Sequence, residues 1–511
     1  MLFNSYVFLL AFLPLAVVAF YTLNRLSRAA AIFSLVVFSL VYYAWWDVAY
    51  VPLLVGSILA NYALGRRIQT LAPAHRRAAY ALSVVGIAAN LALLAYFKYA
   101  HFLADIVGLG GTFGSIVLPL AISFYTFQQI MYLVDSLRGD VAKEGLLQYT
   151  LYVMFFPHLI AGPLVHHREM MPQFSTSTAK GFRAEDLSVG LSLFVVGLAK
   201  KVLIADELSR YAAPVFAAAA ADGPAPDFYA AWCGVLCYTF QIYFDFSGYS
   251  DMAIGAARLF GIRLPLNFFS PYRATSIIDF WRCWHMTLSR LLRNYLYIPL
   301  GGNRKGRVRR YVNLMITMLL GGLWHGAGWT FVIWGALHGA YLGVNHAWRA
   351  LKARLGWRER DAWWTRFGAR LLTFLAVMLA WVFFRAEDLP SALRLLDAMS
   401  GAQGLSMPAR VVSPATAAHW GVVVSSLPAG PFFAGLLLLA LVWLAPNSWE
   451  IFRAREPALL PKSFELASEP VRAPWLAWRP SPAWALAVAA LACGALLGML
   501  SGRSEFLYYQ F

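Results

Sequence analysis

One stretch of this sequence combines a histidine, glycines and tryptophans in a pattern suited to proton transfer. Residues 321–328 read GGLWHGAG, with His325 between two apolar runs. A neutral imidazole accepts protons near ambient pH, so it suits removal of the proton from an attacking hydroxyl. The glycines would let substrates approach closely, and Trp324 and Trp329 would line an apolar slot. We predict that His325 is catalytic and that both tryptophans bind substrate; a buried, hydrogen-bonded structural histidine is the alternative.

A second group of polar residues precedes this stretch. The segment 278–298 has the pattern of one helix, in which Arg282, His285, Ser289 and Arg293 recur every three or four residues and therefore share a face. That polar face would border a wet cavity or the membrane interface. We predict that His285 assists catalysis and that Arg282 and Ser289 bind substrate. A purely structural role for His285, in holding the two segments together, is the alternative.

Helix lengths indicate that both histidines lie inside the membrane. Basic loops at 301–310 and from Lys352 onward flank one segment that enters the membrane and returns to the same side. The 14 residues from Tyr311 to Trp324 rise about 21 Å as a helix, less than the roughly 30 Å of a bilayer core. His325 should therefore lie inside the membrane. An upright helix from residue 301 back to His285 would rise about 24 Å, which gives a similar depth.

Two further polar groups interrupt apolar sequence, where ionisable residues are functional candidates. His158 lies in FPHLIAGP (156–163), whose prolines and glycine predict a broken helix lining a cavity. Asp245 ends an apolar run before Gly248, which suggests a turn, and Asp251 would cap the next helix or form a structural pair. We predict that His158 and Asp245 bind substrate. The alternative for His158 is an interfacial histidine at a kink.

Histidines 158, 166 and 167 could in principle hold a metal ion. Their spacing matches no diagnostic ligand pattern, so we predict no metal site and no bound cofactor. Four scattered cysteines likewise exclude a disulfide framework.

The composition indicates the architecture that positions these residues. Of 511 residues, 60% are hydrophobic and 13% charged, and the mean hydropathy is +0.59. A soluble core cannot absorb this much apolar sequence, and in lipid the backbone is satisfied within helices. We predict an all-α polytopic membrane protein with about 11–13 membrane helices, some broken or re-entrant. Clear apolar runs occupy residues 5–23, 29–46, 48–65, 78–97, 114–134 and 482–500.

Charge and organisation complete the prediction. The net charge of +17 comes from basic residues in short loops, a pattern that indicates cytoplasmic loops and an N-terminus outside rather than nucleic-acid binding. We expect one membrane domain over residues 1–511, with N-terminal spans at 1–136, a catalytic core at 149–346 and C-terminal spans at 352–511. The first apolar run is expected to be a retained helix rather than a signal peptide.

Long strings of this sequence resemble the membrane-bound O-acyltransferases. They are YFDFSGYSDMAIGAARLFGIRLPLNFFSPYRATSIIDFWRCWH (243–285), LSRLLRNYLYIPLGGNRKG (288–306) and GGLWHGAGWTFVIWGALHG (321–339). The N-terminal MLFNSYVFLLAFLPL and C-terminal FLYYQF are similar to the alginate-type branch. The resemblance implies that His325 matches the family's catalytic histidine and His285 its second signature histidine. It also implies a ring of helices around a tunnel in the bacterial inner membrane.

The same resemblance implies a reaction. A cytoplasmic donor, acetyl-CoA or another acyl carrier, would supply an acetyl group for O-acetylation of an exopolysaccharide such as alginate, with periplasmic acetyltransferase partners. The sequence departs from the family pattern at Leu266, Cys283 and Asn294, where glutamate, arginine and aspartate are common. Those departures bear on substrate handling. The alternatives are D-alanyl or other acyl transfer to a cell-wall polymer, and a proton-coupled polysaccharide or lipid transporter, although no inverted repeat is visible.

Overall fold

The computed structural model of the protein is dominated by helices. It describes residues 1–111, 114–142, 145–357, 362–402, 404–408, 416, 422–425, 427–461, 464, 472–500 and 507. Within these residues, β-structure is limited to short pieces: strands β1 (Ser406–Pro408) and β2 (Val423–Ser425) pair in parallel. The predicted all-α membrane fold is confirmed. Most of the C-terminal FLYYQF, and residues 358 and 360 of the second basic loop, lie outside the described residues.

Helices of the first half alternate with short connections. Their bounds are α1 (Phe8–Asn24), α2 (Arg28–Ala44), α3 (Val48–Leu71), α4 (Arg76–Ile106), α5 (Ile122–Arg138), α6 (Leu146–Met154), α7 (Phe156–Leu159), α8 (His167–Lys180) and α9 (Ala184–Ala220). The predicted break near Pro157 is present, because α6 ends at Met154 and α7 is a single turn. The predicted apolar run at 114–134 is helical only from Ile122.

Helices of the second half carry the signature strings. Their bounds are α10 (Phe228–Arg258), α11 (Ile277–Cys283), α12 (Met286–Leu292), α13 (Arg307–His325), α14 (Trp329–Arg354), α15 (Trp363–Arg385), α16 (Leu389–Ser400), α17 (Gly430–Leu444), α18 (Ser448–Phe452) and α19 (Pro482–Met499). A wider π-helical turn, Arg293–Tyr297, continues α12.

Several helices meet the length and apolarity of a membrane span. Among the described residues these are α3, α4, α9, α15 and α19, and α17 joins the segment from Ser448 in a pair bent by 42°. Helices α1 and α2 are apolar but shorter. Large apolar side chains such as Leu10, Leu437 and Leu486 lie exposed on these helices, as expected for surfaces that face lipid. The total of 11–13 membrane helices stays a prediction.

Helices α9 and α10 pack against each other through glycines. A Cβ atom on Gly197 would lie 2.5 Å from the carbonyl oxygen of Gly248, and one on Gly255 would lie 2.6 Å from that of Gly190. Side chains larger than hydrogen would force the helices apart, as at other small-residue interfaces in membranes. Gly248 therefore serves close packing. The turn predicted there is wrong, since α10 runs unbroken from Phe228 to Arg258.

Ion pairs cross the same helix interface. Lys201 Nζ lies 2.6 Å from a carboxylate oxygen of Asp245, and Lys200 Nζ lies 2.6 Å from one of Asp251. Asp251 sits inside α10, so it caps no helix, and the structural pairing considered for it is what the structure contains. Buried charges in a membrane protein need such partners, because lipid offers none.

Helices α13 and α14 form the predicted in-and-out hairpin. Two glycines allow its arms to touch: a Cβ on Gly322 would lie 2.2 Å from the Phe331 carbonyl oxygen, and one on Gly335 would lie 2.4 Å from that of Met318. Gly322 thus serves close packing of the two arms, and the approach of substrate expected at these glycines stays a prediction. The hairpin places the residues that follow Trp324 at its turn.

Candidate active site

His325 is the last residue of α13. The backbone becomes extended at Gly326, with φ −161° and ψ 151°, and this ends the helix. The side chain of His325 is buried, with 5% of the residue exposed. The predicted turn of the excursion is therefore confirmed as the place where this histidine lies, in the interior of the protein.

Aromatic rings enclose the imidazole of His325. The ring centroids of Trp324, Trp334 and Phe384 lie 4.9, 5.1 and 5.0 Å from it, all edge-on. Trp324 in turn stacks on Phe127 of α5 at 5.7 Å. These rings come from α5, α13, α14 and α15, so the surroundings of His325 are assembled from distant parts of the chain. An apolar enclosure of this kind excludes water from a reacting group.

His285 lies at a break between two short helices. Its backbone has φ 41° and ψ 53°, in the left-handed region, which costs a residue with a Cβ roughly 1–2 kcal/mol. Helix α11 ends at Cys283 and α12 begins at Met286. The continuous helix predicted over 278–298 is wrong. Strained backbone of this type persists only where surrounding contacts hold it, and it often marks functional sites.

Hydrogen bonds to Asn267 stabilise the break between α11 and α12 at His285. Its Oδ1 lies 3.0 Å from Nδ1 of His285 and accepts a bond from Thr287 Oγ1 at 2.9 Å. Its Nδ2 donates to Ser250 Oγ at 3.2 Å, which orients the amide. An Oδ1 acceptor requires the His285 proton on Nδ1, so its Nε2 carries a lone pair. That Nε2 has no hydrogen-bond partner among the described residues.

Trp324 connects the two histidines. Its ring centroid lies 6.1 Å from that of His285 and 4.9 Å from that of His325. Both imidazoles thus pack near one indole ring, and the similar membrane depth expected for them stays a prediction. Another histidine, His338, accepts a hydrogen bond from Trp281 Nε1 at 3.2 Å.

A large basic cavity reaches the His285 break. Its volume is about 3140 Å³, and its lining includes Cys283 and Met286, the residues on each side of the Trp284–His285 pair. Both basic loops contribute to it, so it lies on the side of the protein predicted to be cytoplasmic. Its described lining includes three carboxylates, Glu169, Asp279 and Glu450, against thirteen cationic residues: Arg273, Arg282, Arg290, Arg293, Arg304, Lys305, Arg310, Arg349, Lys352, Arg366, Arg370, Arg453 and Arg472.

Arg282 and Ser289 both line this cavity, as does Arg293. The Arg282 guanidinium is largely exposed and pairs with Asp279 at 3.3 Å, and Ser289 Oγ donates to the Trp284 carbonyl at 3.5 Å. The polar stripe predicted for this segment therefore borders a cavity. His285 does not share it, because the break turns this side chain inward to Asn267.

The other three residues predicted to bind substrate, Trp329, His158 and Asp245, do not pack against the rings of His285 and His325. Trp329 is 58% exposed and packs edge-on against Phe102, with ring centroids 5.7 Å apart. His158 is buried, and its Nδ1 lies 3.4 Å from Nε2 of Gln128. The Asp245 carboxylate faces Lys201, as described above. Substrate binding by these three residues stays a prediction.

A different histidine cluster surrounds Asp135. The Nε2 atoms of His166 and His167 lie 2.9 and 3.1 Å from its Oδ2, and the Tyr295 hydroxyl donates to the same oxygen at 2.5 Å. The Arg168 N–H donates to His166 Nδ1 at 3.2 Å, so neutral His166 carries its proton on Nε2, facing the carboxylate. A metal-bound histidine shows the opposite arrangement. These residues fit a hydrogen-bonded cluster, and His158 is not part of it.

Sequence reasoning missed three residues near the histidines. Asn267 lies within residues 243–285, but an amide before aromatic residues has no diagnostic pattern. Lys98 and Tyr99 contact the end of α13, as detailed below, and a lysine within an apolar run was the available signal.

Comparisons with known proteins agree on one family. The model of the membrane-bound O-acyltransferase family matches residues 135–383, a range that includes both histidines. The peptidoglycan O-acetyltransferase of Helicobacter pylori is 43% identical over 439 residues, 80% of this chain and 81% of that protein. The probable alginate O-acetylase AlgI of Pseudomonas aeruginosa is 42% identical over 414 residues, 78% and 75% of the two chains. The teichoic acid D-alanyltransferase of Streptococcus thermophilus is 28% identical over 282 residues, 52% of this chain and 68% of that protein.

Proposed function

This chain belongs to the membrane-bound O-acyltransferase family and is an O-acyltransferase, and we propose that it transfers acetyl groups from cytoplasmic acetyl-CoA for O-acetylation of an exopolysaccharide. The resemblance seen in the sequence strings is confirmed. Family membership also decides against the transporter alternative. In this proposal the protein lies in the bacterial inner membrane, and periplasmic acetyltransferase partners receive the acetyl group.

One observation carries the proposal: the imidazole rings of His325 and His285 both pack near the Trp324 ring, beside a cavity lined by cations. A phosphate-bearing donor such as coenzyme A complements that lining, since guanidinium groups bind phosphate through paired N–H donors. The thioester end of the donor would extend past Cys283 and Met286 toward the histidines. The enclosed rings around His325 would keep water from competing with the acceptor hydroxyl.

The proposed chemistry needs one proton acceptor. The acceptor oxygen attacks the thioester carbonyl carbon while the imidazole of His325 takes the hydroxyl proton. The carbon–sulfur bond then breaks, and the departing coenzyme A thiolate takes up the proton that the imidazolium carries. His285, with its lone pair on Nε2, would orient the second substrate or share the proton. No bound cofactor is required for this sequence of steps.

The sequence identity of this chain to its relatives favours acetyl transfer over D-alanyl transfer. The two acetyl-transferring relatives are 42–43% identical over about four fifths of this chain, whereas the D-alanyltransferase is 28% identical over about half. Peptidoglycan is the second candidate acceptor, because the Helicobacter relative is as similar as the alginate one.

The test uses full-length protein in lipid nanodiscs with radiolabelled acetyl-CoA. We expect release of free coenzyme A and labelling of added exopolysaccharide or of a partner protein by the wild type. His325→Ala should abolish both, whereas His75→Ala, which changes an exposed loop histidine, should leave them unchanged. Full transfer by folded His325→Ala would refute the proposed site. Consumption of a D-alanyl carrier in place of acetyl-CoA would refute the proposed donor.

Acceptor identity is tested in cells. Mass analysis of exopolysaccharide and peptidoglycan from a strain carrying His325→Ala should show loss of acetylation in the exopolysaccharide. Loss of acetylation confined to peptidoglycan would identify peptidoglycan, rather than an exopolysaccharide, as the acceptor. Unchanged acetylation of both polymers would refute the proposed function.

A further inference from the structure

The end of α13 is bound by two residues from a distant helix. Lys98 Nζ donates to the carbonyl oxygens of Trp324 and His325 at 2.6 and 3.2 Å. The Tyr99 hydroxyl donates to the carbonyl oxygen of Leu323 at 2.8 Å. Three consecutive carbonyls of the last turn therefore receive bonds from one place on α4, more than 220 positions earlier in the sequence.

These carbonyls are the groups that a helix end leaves without intrahelical partners. The final turn carries partial negative charge on these carbonyl oxygens, and hydrogen-bond donors from elsewhere in the protein stabilise it. The extended backbone at Gly326 continues no helix beyond His325. Lys98 and Tyr99 thus supply the donors that hold this terminal turn in place.

The contacts of α4 extend past the turn. Phe102, one helical turn beyond Lys98, packs edge-on against Trp329, the first residue of α14, at 5.7 Å. One helix therefore contacts both sides of the break that carries His325. Lys98 and Tyr99 lie in a wider π-helical turn, Ala95–Tyr99, a local widening often found at functional sites.

We propose that Lys98 and Tyr99 are positioning residues that hold the C-terminal turn of α13, and with it His325, in its reactive orientation. This inference rests on the proposed function of His325. A catalytic group displaced by about 1 Å can lose two orders of magnitude in rate, so a loosened helix end is expected to lower turnover strongly. Neither residue touches the reacting atoms in this proposal.

Hydrogen–deuterium exchange tests the contact without any reaction. In Lys98→Met, which keeps the side-chain length but removes the donors, the peptide covering residues 321–328 should exchange faster than in wild type. In Tyr99→Phe the increase should be smaller, because one bond is lost. The matched control is Tyr96→Phe, which removes an exposed hydroxyl from the same turn and should change nothing. Unchanged exchange at 321–328 in folded Lys98→Met would overturn the inference.

Kinetics then test the consequence for transfer. Lys98→Met should lower kcat about 10- to 100-fold while KM for acetyl-CoA stays within about twofold, because the donor cavity is untouched. Lys98→Arg, which retains a cationic donor, should recover most of the loss. Equal kcat in Lys98→Met and wild type would overturn the inference while leaving the proposed function intact. Full activity of His325→Ala would instead refute the proposed function, and the exchange result would still decide whether Lys98 holds the turn.

Discussion

The two histidines of the site stand at breaks in helices, yet the protein holds the breaks differently. At His285 the backbone is left-handed, and Asn267 binds the imidazole ring. At His325 the helix simply ends, and Lys98 binds the backbone carbonyls behind the ring. At His285 a hydrogen bond to the ring nitrogen fixes the imidazole. At His325 hydrogen bonds fix the backbone, and aromatic side chains enclose the imidazole. Substitutions around the two breaks should therefore have separable effects.

The largest expected effect separates the roles of the two histidines. His325→Gln should lower kcat/KM for acetyl transfer about 10²- to 10⁴-fold, because an amide cannot take the hydroxyl proton. His285→Gln should lower it only about 10- to 100-fold, because an amide can still bond to Asn267 and retain part of the geometry. Initial rates at several donor concentrations measure both. A larger loss for His285→Gln than for His325→Gln would reverse the assignment of the base.

An intermediate effect is expected at the residue that holds the His285 ring. Asn267→Ala leaves buried partners of Asn267 unbonded, at about 1–3 kcal/mol each, so both the unfolding midpoint and kcat should fall.

The matched control for Asn267→Ala is Asn90→Ala, which removes buried bonds to Asn61 and Gly86 among the N-terminal helices. It should lower the midpoint comparably but leave kcat per folded molecule unchanged. If both variants lose kcat in proportion to stability alone, Asn267 has no positioning role.

The smallest effect concerns backbone conformation and has opposite signs at the two breaks. At position 285, His285→Gly should be more stable than His285→Ala by about 1 kcal/mol, because glycine adopts positive φ without a Cβ clash. At position 325, inside the last helical turn, His325→Gly should be less stable than His325→Ala by about 0.5–1 kcal/mol. Thermal unfolding of the four variants in one detergent measures this. The same sign at both positions would contradict the distinct backbone conformations.

Part of the site could be predicted from local patterns. The excursion that carries His325 follows from two basic loops, a glycine-rich break and a helix rise too short to cross the bilayer. The structure confirms its helical arms and buried turn. The predicted stripe of Arg282 and Ser289 also borders a cavity. These features depend on helical periodicity and hydropathy, which a few tens of residues determine.

Other features could not be predicted in this way. Nothing local in the string around Trp284 indicates that His285 is left-handed, since the compensating bonds come from Asn267, 18 residues earlier. Gly248 has the same appearance in sequence as a turn glycine, but the carbonyl of Gly197 on another helix requires its small size. The fold brings Trp329 against Phe102 rather than against the histidine rings.

The amino-acid sequence by itself therefore determined the membrane fold, the family and the buried position of His325, because hydropathy, charge bias and long motifs are properties of the chain alone. The tertiary structure decided how each histidine is held. It brought Asn267 to the ring of His285 and Lys98 to the carbonyls behind His325. Both are contacts between residues distant in sequence, and their free energy exists only once the helices have packed.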